Sequence, residues 1–302
     1  MTNSDLSNYI ANRFNDVVIS GHAIAVRLRR DVVGATPQQI RTAIEGVSRL
    51  NLGHFNGSLD YEDIGGVKCG IVKFNERSGP KVLWIHGGAF SFGSARVYKA
   101  TAIYLARFFT CEVVMPEYRL SPEHKYPKPF EDCLNVFMEL TANGDDVIVI
   151  GDSAGGNIAV HLTQICIANN LPIPKKLVLL SPWLDLSPNS MSNTKNHTEY
   201  SPFDSRDTVA FSKDYIGEID PSDSRVSPLN GSFEGFPETH IQASKVEFLF
   251  DDTKLCIDAL EKAGVEYSAH FEDKAMHGWH LVPDFLPEAS RSMTQVIEFL
   301  LG

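Results

Sequence analysis

The chain has 302 residues, 43% hydrophobic and 22% charged, which suits a large folded core and excludes a disordered chain. Its formal net charge of -11 has the wrong sign for a nucleic-acid binder, whose phosphate contacts need a basic surface. No run of about 18 apolar residues is present to span a membrane.

In chain order, MTNSDLSNYIANRF lacks the basic and apolar regions of a signal peptide. Residues 1 to about 55 read as amphipathic helix, with IRTAIEGVSRL at helical spacing and Thr36-Pro37 as a start signal. GVKCGIVKF and KVLWIH read as strands, with Gly79-Pro80 as the turn between them. RVYKATAIYLARFF predicts a helix, EVVMP a short strand, and FEDCLNVFMELTAN a helix. DVIVIG then predicts a strand, the segment after GDSAGG a helix, and KLVLLS a strand. Near the C-terminus come THIQAS (strand), DTKLCIDALEKAG (helix), VEYSAHF (strand) and EASRSMTQVIEFLL (helix). Strands alternating with helices imply α/β architecture around a mostly parallel central sheet flanked by helices. Residues 185 to 235 break this rhythm with Ser, Asn, Pro and Asp, and an excursion of that size reads as a functional cap. The five cysteines (Cys69, Cys111, Cys133, Cys166, Cys256) form no C-x-x-C pair, so free thiols in a reducing cytoplasm are expected.

The stretch GDSAGG, residues 151 to 156, fits the G-x-S-x-G nucleophile elbow. A sharp strand-turn-helix would raise the Ser153 hydroxyl above the sheet edge and aim the Ala154 amide at a developing oxyanion. HGGAF, from His86, follows another apolar strand, and its glycines expose backbone amides. With Ala154, Gly87 and Gly88 make an expected three-donor oxyanion hole. Taken singly, each motif also reads as a plain glycine turn; both in this order, each after a strand, argue for chemistry.

A nucleophilic serine needs a base, and the base needs an orienting acid. Of ten histidines, His277 sits in a loop between the last strand and last helix, beside Gly278. His270 lies within the strand, and His280 reads as pocket lining or surface. The pair His277 and His280 has no supporting ligands for a metal, so no metal and no cofactor are expected. Three carboxylates compete for the acid after THIQAS: Glu247, Asp251 and Asp252. The two aspartates begin a helix, where negative charge stabilises the N-terminus, so Glu247 is favoured and Asp251 stays open.

The chain resembles the hormone-sensitive-lipase-like carboxylesterases of the α/β-hydrolase superfamily. The resemblance rests on HGGAF, on EYRLSPEHKYP from Glu117, on GDSAGG, on SPWLD from Ser181 and on HGW from His277. It runs from about residue 60 to the C-terminus. It implies a single α/β-hydrolase domain with an eight-stranded sheet and a helical cap, formed by residues 1 to about 55 and about 185 to 230. It carries the nucleophile onto Ser153, the base onto His277 and the oxyanion donors onto Gly87, Gly88 and Ala154. The family's acid is usually an aspartate before Pro-Leu; here the stretch reads Glu247-Phe248-Leu249, which supports Glu247 by position and not by type.

The implied activity is hydrolysis of short- to medium-chain carboxylic esters through an acyl-enzyme. Phe203, Phe211 and Tyr215, with Trp279 beside the base, are candidates to wall an apolar pocket, or else ordinary cap packing. The small-molecule ester is the expected partner, and the family leaves a homodimer open. Two alternatives stand beside this reading. One is a specific amide, lactone or carbamate cleaved on the same triad. The other is a non-catalytic ligand receptor on the same fold, as in the gibberellin receptors, which lack the histidine matching His277.

Overall fold

Five parallel pairings and two antiparallel ones join eight strands into one sheet. The computed structural model describes residues 37–48, 57–74, 79–190, 205–284 and 286–302. The strands are β1 (Asp60–Ile64), β2 (Val67–Lys73), β3 (Lys81–Ile85), β4 (Glu112–Pro116), β5 (Val147–Asp152), β6 (Leu177–Leu180), β7 (Thr239–Ser244) and β8 (Tyr267–Glu272). Their spatial order is β1-β2-β4-β3-β5-β6-β7-β8. From β4 to β8 all neighbours are parallel, so helical crossovers must join them.

The helices are α1 (Pro37–Ser48), α2 (Ala95–Phe109), α3 (Lys128–Thr141), α4 (Ala154–Ala168), α5 (Ser205–Ile216), α6 (Phe250–Lys262) and α7 (Pro287–Leu301); α2 to α6 lie in the crossovers, whereas α1 precedes β1 and α7 follows β8. Central strands covered on both faces read as unbroken apolar runs, because both alternating sets of side chains are buried. In β3, Leu83 and Ile85 enter the core beneath α3 and α4, with Phe137 and Ile158. Val82 and Trp84 point the other way, into a second core with Leu105 of α2 and Val296 of α7. The predicted α/β class and mostly parallel sheet are what the chain forms.

The hairpin at the antiparallel edge was not expected. β1, DYEDI, is exposed along most of its length and shows no apolar alternation. Gly65 and Gly66 connect it to β2 with φ +60 and +75, a two-residue turn in which both centres are left-handed. Of the expected N-terminal helical region only α1 is described, and it begins at Pro37 as the sequence suggests. The remainder of 1–55 apart from α1, and residues 191–204 of the insert, lie outside the described residues, Phe203 among them.

Candidate active site

All the candidate chemistry sits past the C-terminal ends of β3, β5, β7 and β8, where parallel α/β sheets bind ligands. Ser153 joins β5 to α4 with φ +51 and ψ -120, a backbone shape unfavourable for a residue with a Cβ. The turn is as tight as its glycines allow. A Cβ on Gly155 would stand 2.0 Å from the Ile85 carbonyl oxygen.

His277 lies between Ser153 and Glu247. Its Nε2 is 3.0 Å from Ser153 Oγ, and its Nδ1 is 2.5 Å from Glu247 Oε2. A carboxylate accepts, so Nδ1 carries the ring proton and Nε2 is left to take one from the serine. Glu247 is wholly buried. Its second oxygen accepts from the Ser181 hydroxyl at 2.6 Å and the Ser244 amide at 2.8 Å. Both carboxylate oxygens are therefore held, which fixes the torsion that a glutamate has beyond an aspartate. The Phe248 ring meets His277 edge to face at 4.9 Å.

The competing carboxylates are occupied elsewhere. Asp251 pairs with Lys254 at 2.5 Å inside the first turn of α6. Asp252 accepts from the backbone amides of Leu184 and Asp185 at 2.7 and 3.0 Å. His270 faces Glu272 at 3.2 Å.

The expected oxyanion donors need one correction. The Gly87 amide points inward and donates to Tyr98 Oη at 2.9 Å and to Asp152 Oδ1 at 3.1 Å. It is spent on the core and is withdrawn from the donor set. The chain instead turns sharply through Gly88 (φ +115), Ala89 (φ +50) and Phe90 (φ +58). Among the described residues, no hydrogen bond occupies the amides of Gly88, Ala89 or Ala154. Ala154 opens α4, so its amide has no partner within the helix. A Cβ on Gly88 would fall 2.0 Å from the Phe92 carbonyl oxygen, so glycine is required there.

Beneath the elbow lies a polar knot that the sequence did not announce. Asp152 is buried and accepts from Trp84 Nε1 at 3.1 Å, Gly87 N at 3.1 Å and Tyr98 Oη at 2.6 Å. Burial pushes its carboxyl up, but His280 and the hydrogen bonds from Tyr98 and Trp84 outweigh that, and it ionises below the usual range. His280 Nε2 stands 3.7 Å from Oδ2, beyond hydrogen-bond length. His280 is 1% exposed, which corrects its expected pocket or surface role. Burial, then the Asp152 charge, pushes the Tyr98 phenol well above its ordinary range.

The proposed pocket walls are corrected too. Tyr215 stacks on Phe90 with ring centroids 3.7 Å apart, and Phe211 meets Phe92 edge-on at 5.6 Å. Both are closed into the core and offer a ligand almost no surface. Trp279 is buried with Ala275, Leu286 and Ala289. These are packing residues, as their spacing on α5 and beside α7 permits. Among the described residues, no group of three or more His, Cys, Asp or Glu could hold a metal ion.

The family model of the alpha/beta hydrolase fold matches residues 82–281. The chain belongs to that family. An esterase of Acinetobacter venetianus is 29% identical to this α/β hydrolase over 267 residues, 87% of this chain and 88% of its own. An acetyl-hydrolase of Streptomyces hygroscopicus is 28% identical over 244 residues, covering 80% and 82%. The crystal structure of an esterase from the bacterial hormone-sensitive lipase family superimposes with a TM-score of 0.85 at 26% identity, covering 94% of this chain and 97% of that one. The resemblance to hormone-sensitive-lipase-like hydrolases read from the motifs therefore stands. No helix among the described residues is long and apolar enough to cross a membrane.

Proposed function

We propose that this α/β hydrolase is a serine carboxylesterase acting on short- to medium-chain esters through an acyl-enzyme. The observation that carries the reading is the imidazole of His277 within hydrogen-bond reach of both Ser153 and Glu247, beside three unoccupied amides. His277 takes the Ser153 proton as Oγ attacks the ester carbonyl. The amides of Gly88, Ala89 and Ala154 receive the oxyanion. His277 then protonates the leaving alcohol, and water repeats the sequence on the acyl-serine. Glu247 keeps the imidazole in the tautomer this requires. Helices α1 and α5 contribute to the cap.

Relatives named esterase and acetyl-hydrolase support the reaction and the short end of the acyl range. A cytoplasmic setting draws support from five unpaired, buried cysteines. A homodimer rests on the family resemblance alone, and light scattering on the purified protein checks it.

The test is hydrolysis of p-nitrophenyl acetate, butyrate, octanoate and palmitate by wild type and Ser153→Ala. Turnover is expected on the short esters, falling about 10⁶-fold in the variant. Substantial activity in Ser153→Ala removes the serine from the mechanism, and a rate that peaks on palmitate removes the short-acyl preference.

A further inference from the structure

The oxyanion loop holds a shape that its residues do not favour. Ala89 and Phe90 both sit in left-handed backbone with φ +50 and +58, which persists only where the surroundings over-determine it. Part of the restraint is local. The amides of Ser91 and Phe92 both donate to the Gly88 carbonyl at 2.9 Å. The Phe90 carbonyl accepts from the Ser121 amide at 2.9 Å and its hydroxyl at 3.1 Å. The hydroxyls of Ser91 and Ser121 meet at 2.9 Å.

The rest comes from α1, far away in sequence. Arg41 Nε donates to the Ser91 carbonyl at 2.7 Å, and its Nη2 to the Ser121 carbonyl at 2.7 Å. Glu123 grips the other side of the guanidinium, accepting from Nη1 at 3.0 Å and Nη2 at 2.7 Å. The Arg41 hydrogen bond holds the Glu123 carboxyl below its usual range. One turn on, Ile44 is buried in the same core as Ala89, Phe90 and Phe92. Glu45 accepts from Ser94 Oγ and lies 3.4 Å from Arg96. Positions 41, 44 and 45 share one helix face, and that face grips the segment following the oxyanion loop.

We propose that α1 braces the oxyanion loop, with Arg41 as its positioning residue. By tying the Ser91 and Ser121 carbonyls together, Arg41 fixes where the Gly88 and Ala89 amides point. The inference rests on the esterase reading above. A planar guanidinium spans two carbonyls at set angles, which a lysine ammonium does not reproduce. Arg41 does not touch the Ser153–His277–Glu247 array, so its influence reaches the transition state only through the loop. Loss of Arg41 therefore lowers kcat more than it raises KM.

The experiment compares wild type, Arg41→Met, Arg41→Ala, Arg41→Lys and Ser153→Ala on p-nitrophenyl butyrate. It also measures inhibition by an aryl trifluoromethyl ketone, whose serine adduct carries an oxyanion. Arg41→Met is expected to lose about tenfold or more in kcat, since a fully lost donor costs about 10²–10³. KM should stay within about twofold, and ketone affinity should fall in step with kcat. Arg41→Lys should keep the fold and recover little of the rate. Methylguanidine added to Arg41→Ala should restore part of kcat. Unchanged kcat in folded Arg41→Met overturns the brace. So does a loss of kcat with ketone affinity intact, which would point to a general structural role. Should Arg41→Met fail to fold, Arg41→Lys and Glu123→Gln decide by the same two readouts. Wild type without Ser153-dependent turnover would sink the esterase reading itself, whereas an active wild type with an indifferent Arg41 sinks only the brace.

Discussion

The acid–base arm of the site holds its geometry with side chains, whereas the oxyanion loop facing it holds its geometry with backbone. Glu247 reaches His277 through a carboxylate held at both oxygens, in a chain of buried side-chain contacts ending at Ser153 Oγ. Gly88 and Ala89 offer only amides, aimed by left-handed φ angles and by carbonyls tied to Ser121 and Arg41. Side-chain chemistry is written into residue type, so the first arm shows in the sequence. Amide direction depends on φ and on distant partners, so the second shows only in part: Gly88 and Ala154 were legible, Gly87 was misassigned and Ala89 was missed.

Replacing the acid tests the first arm most severely. Glu247→Gln keeps the shape but no longer secures the required tautomer, and by analogy with other triads kcat should fall about 10⁴-fold. Asp251→Asn should keep kcat within about twofold of wild type, because its carboxyl is engaged with Lys254 at the start of α6. Steady-state kinetics on p-nitrophenyl butyrate checks both. The reverse pattern would transfer the acid role to Asp251.

Gly88→Ala strikes the second arm. Its new Cβ would meet the Phe92 carbonyl oxygen at 2.0 Å, so the loop must move. The expected loss is about 10²–10³ in kcat, the worth of one oxyanion donor. Near-normal kcat would mean that the Gly88 amide lies outside the hole.

Ser181→Ala returns to the first arm at smaller scale. It removes one of two hydrogen bonds to Glu247 Oε1 and leaves the Ser244 amide. A bond to a charged group contributes about 1.5–3 kcal/mol to stability, and a loosened glutamate should lower kcat about tenfold. In the Glu247→Gln background the same substitution should add little to the loss in kcat, because it acts through that carboxyl. Additive losses in kcat would separate Ser181 from the acid.

The contrast extends to what could be read without coordinates. GDSAGG and HGGAF each follow an apolar strand, the loop at His277 follows β8, and their order along the chain matched the sheet's C-terminal edge. Glu247 was found by excluding two aspartates that start a helix. Ser181 sat in view within SPWLD, yet nothing in the sequence said that its hydroxyl meets Glu247, since their strands are joined only in space. β1 was missed because an exposed edge strand carries no apolar rhythm, although Gly65-Gly66 was a hairpin signal. Phe211, Tyr215 and Trp279 looked like pocket walls because aromatic residues serve packing and binding equally, and only burial separates the two. Gly87 looked like an oxyanion donor because a glycine's residue type says nothing about where its amide points.

The correction at Gly87 can be tested through Tyr98. Tyr98→Phe removes the phenol that accepts from the Gly87 amide and donates to Asp152 at 2.6 Å. The amide keeps its bond to Asp152 at 3.1 Å, so it still faces the core. If Gly87 takes no part in the oxyanion hole, kcat should stay within about threefold while stability falls by about 1–3 kcal/mol. The deficit should also depend on pH. Asp152 ionises below the usual carboxylate range in the folded chain, so its stabilisation is present above the unfolded value and is lost as pH falls through the folded one. Because Tyr98 is one of the groups that hold it there, the stability gap between wild type and Tyr98→Phe should be constant at neutral pH and close in acid. Denaturant titrations from pH 7 down to about pH 3 read that gap directly. A gap that widens in acid would reverse the sign assigned to Asp152, and a hundredfold loss of kcat would return the Gly87 region to the catalytic machinery.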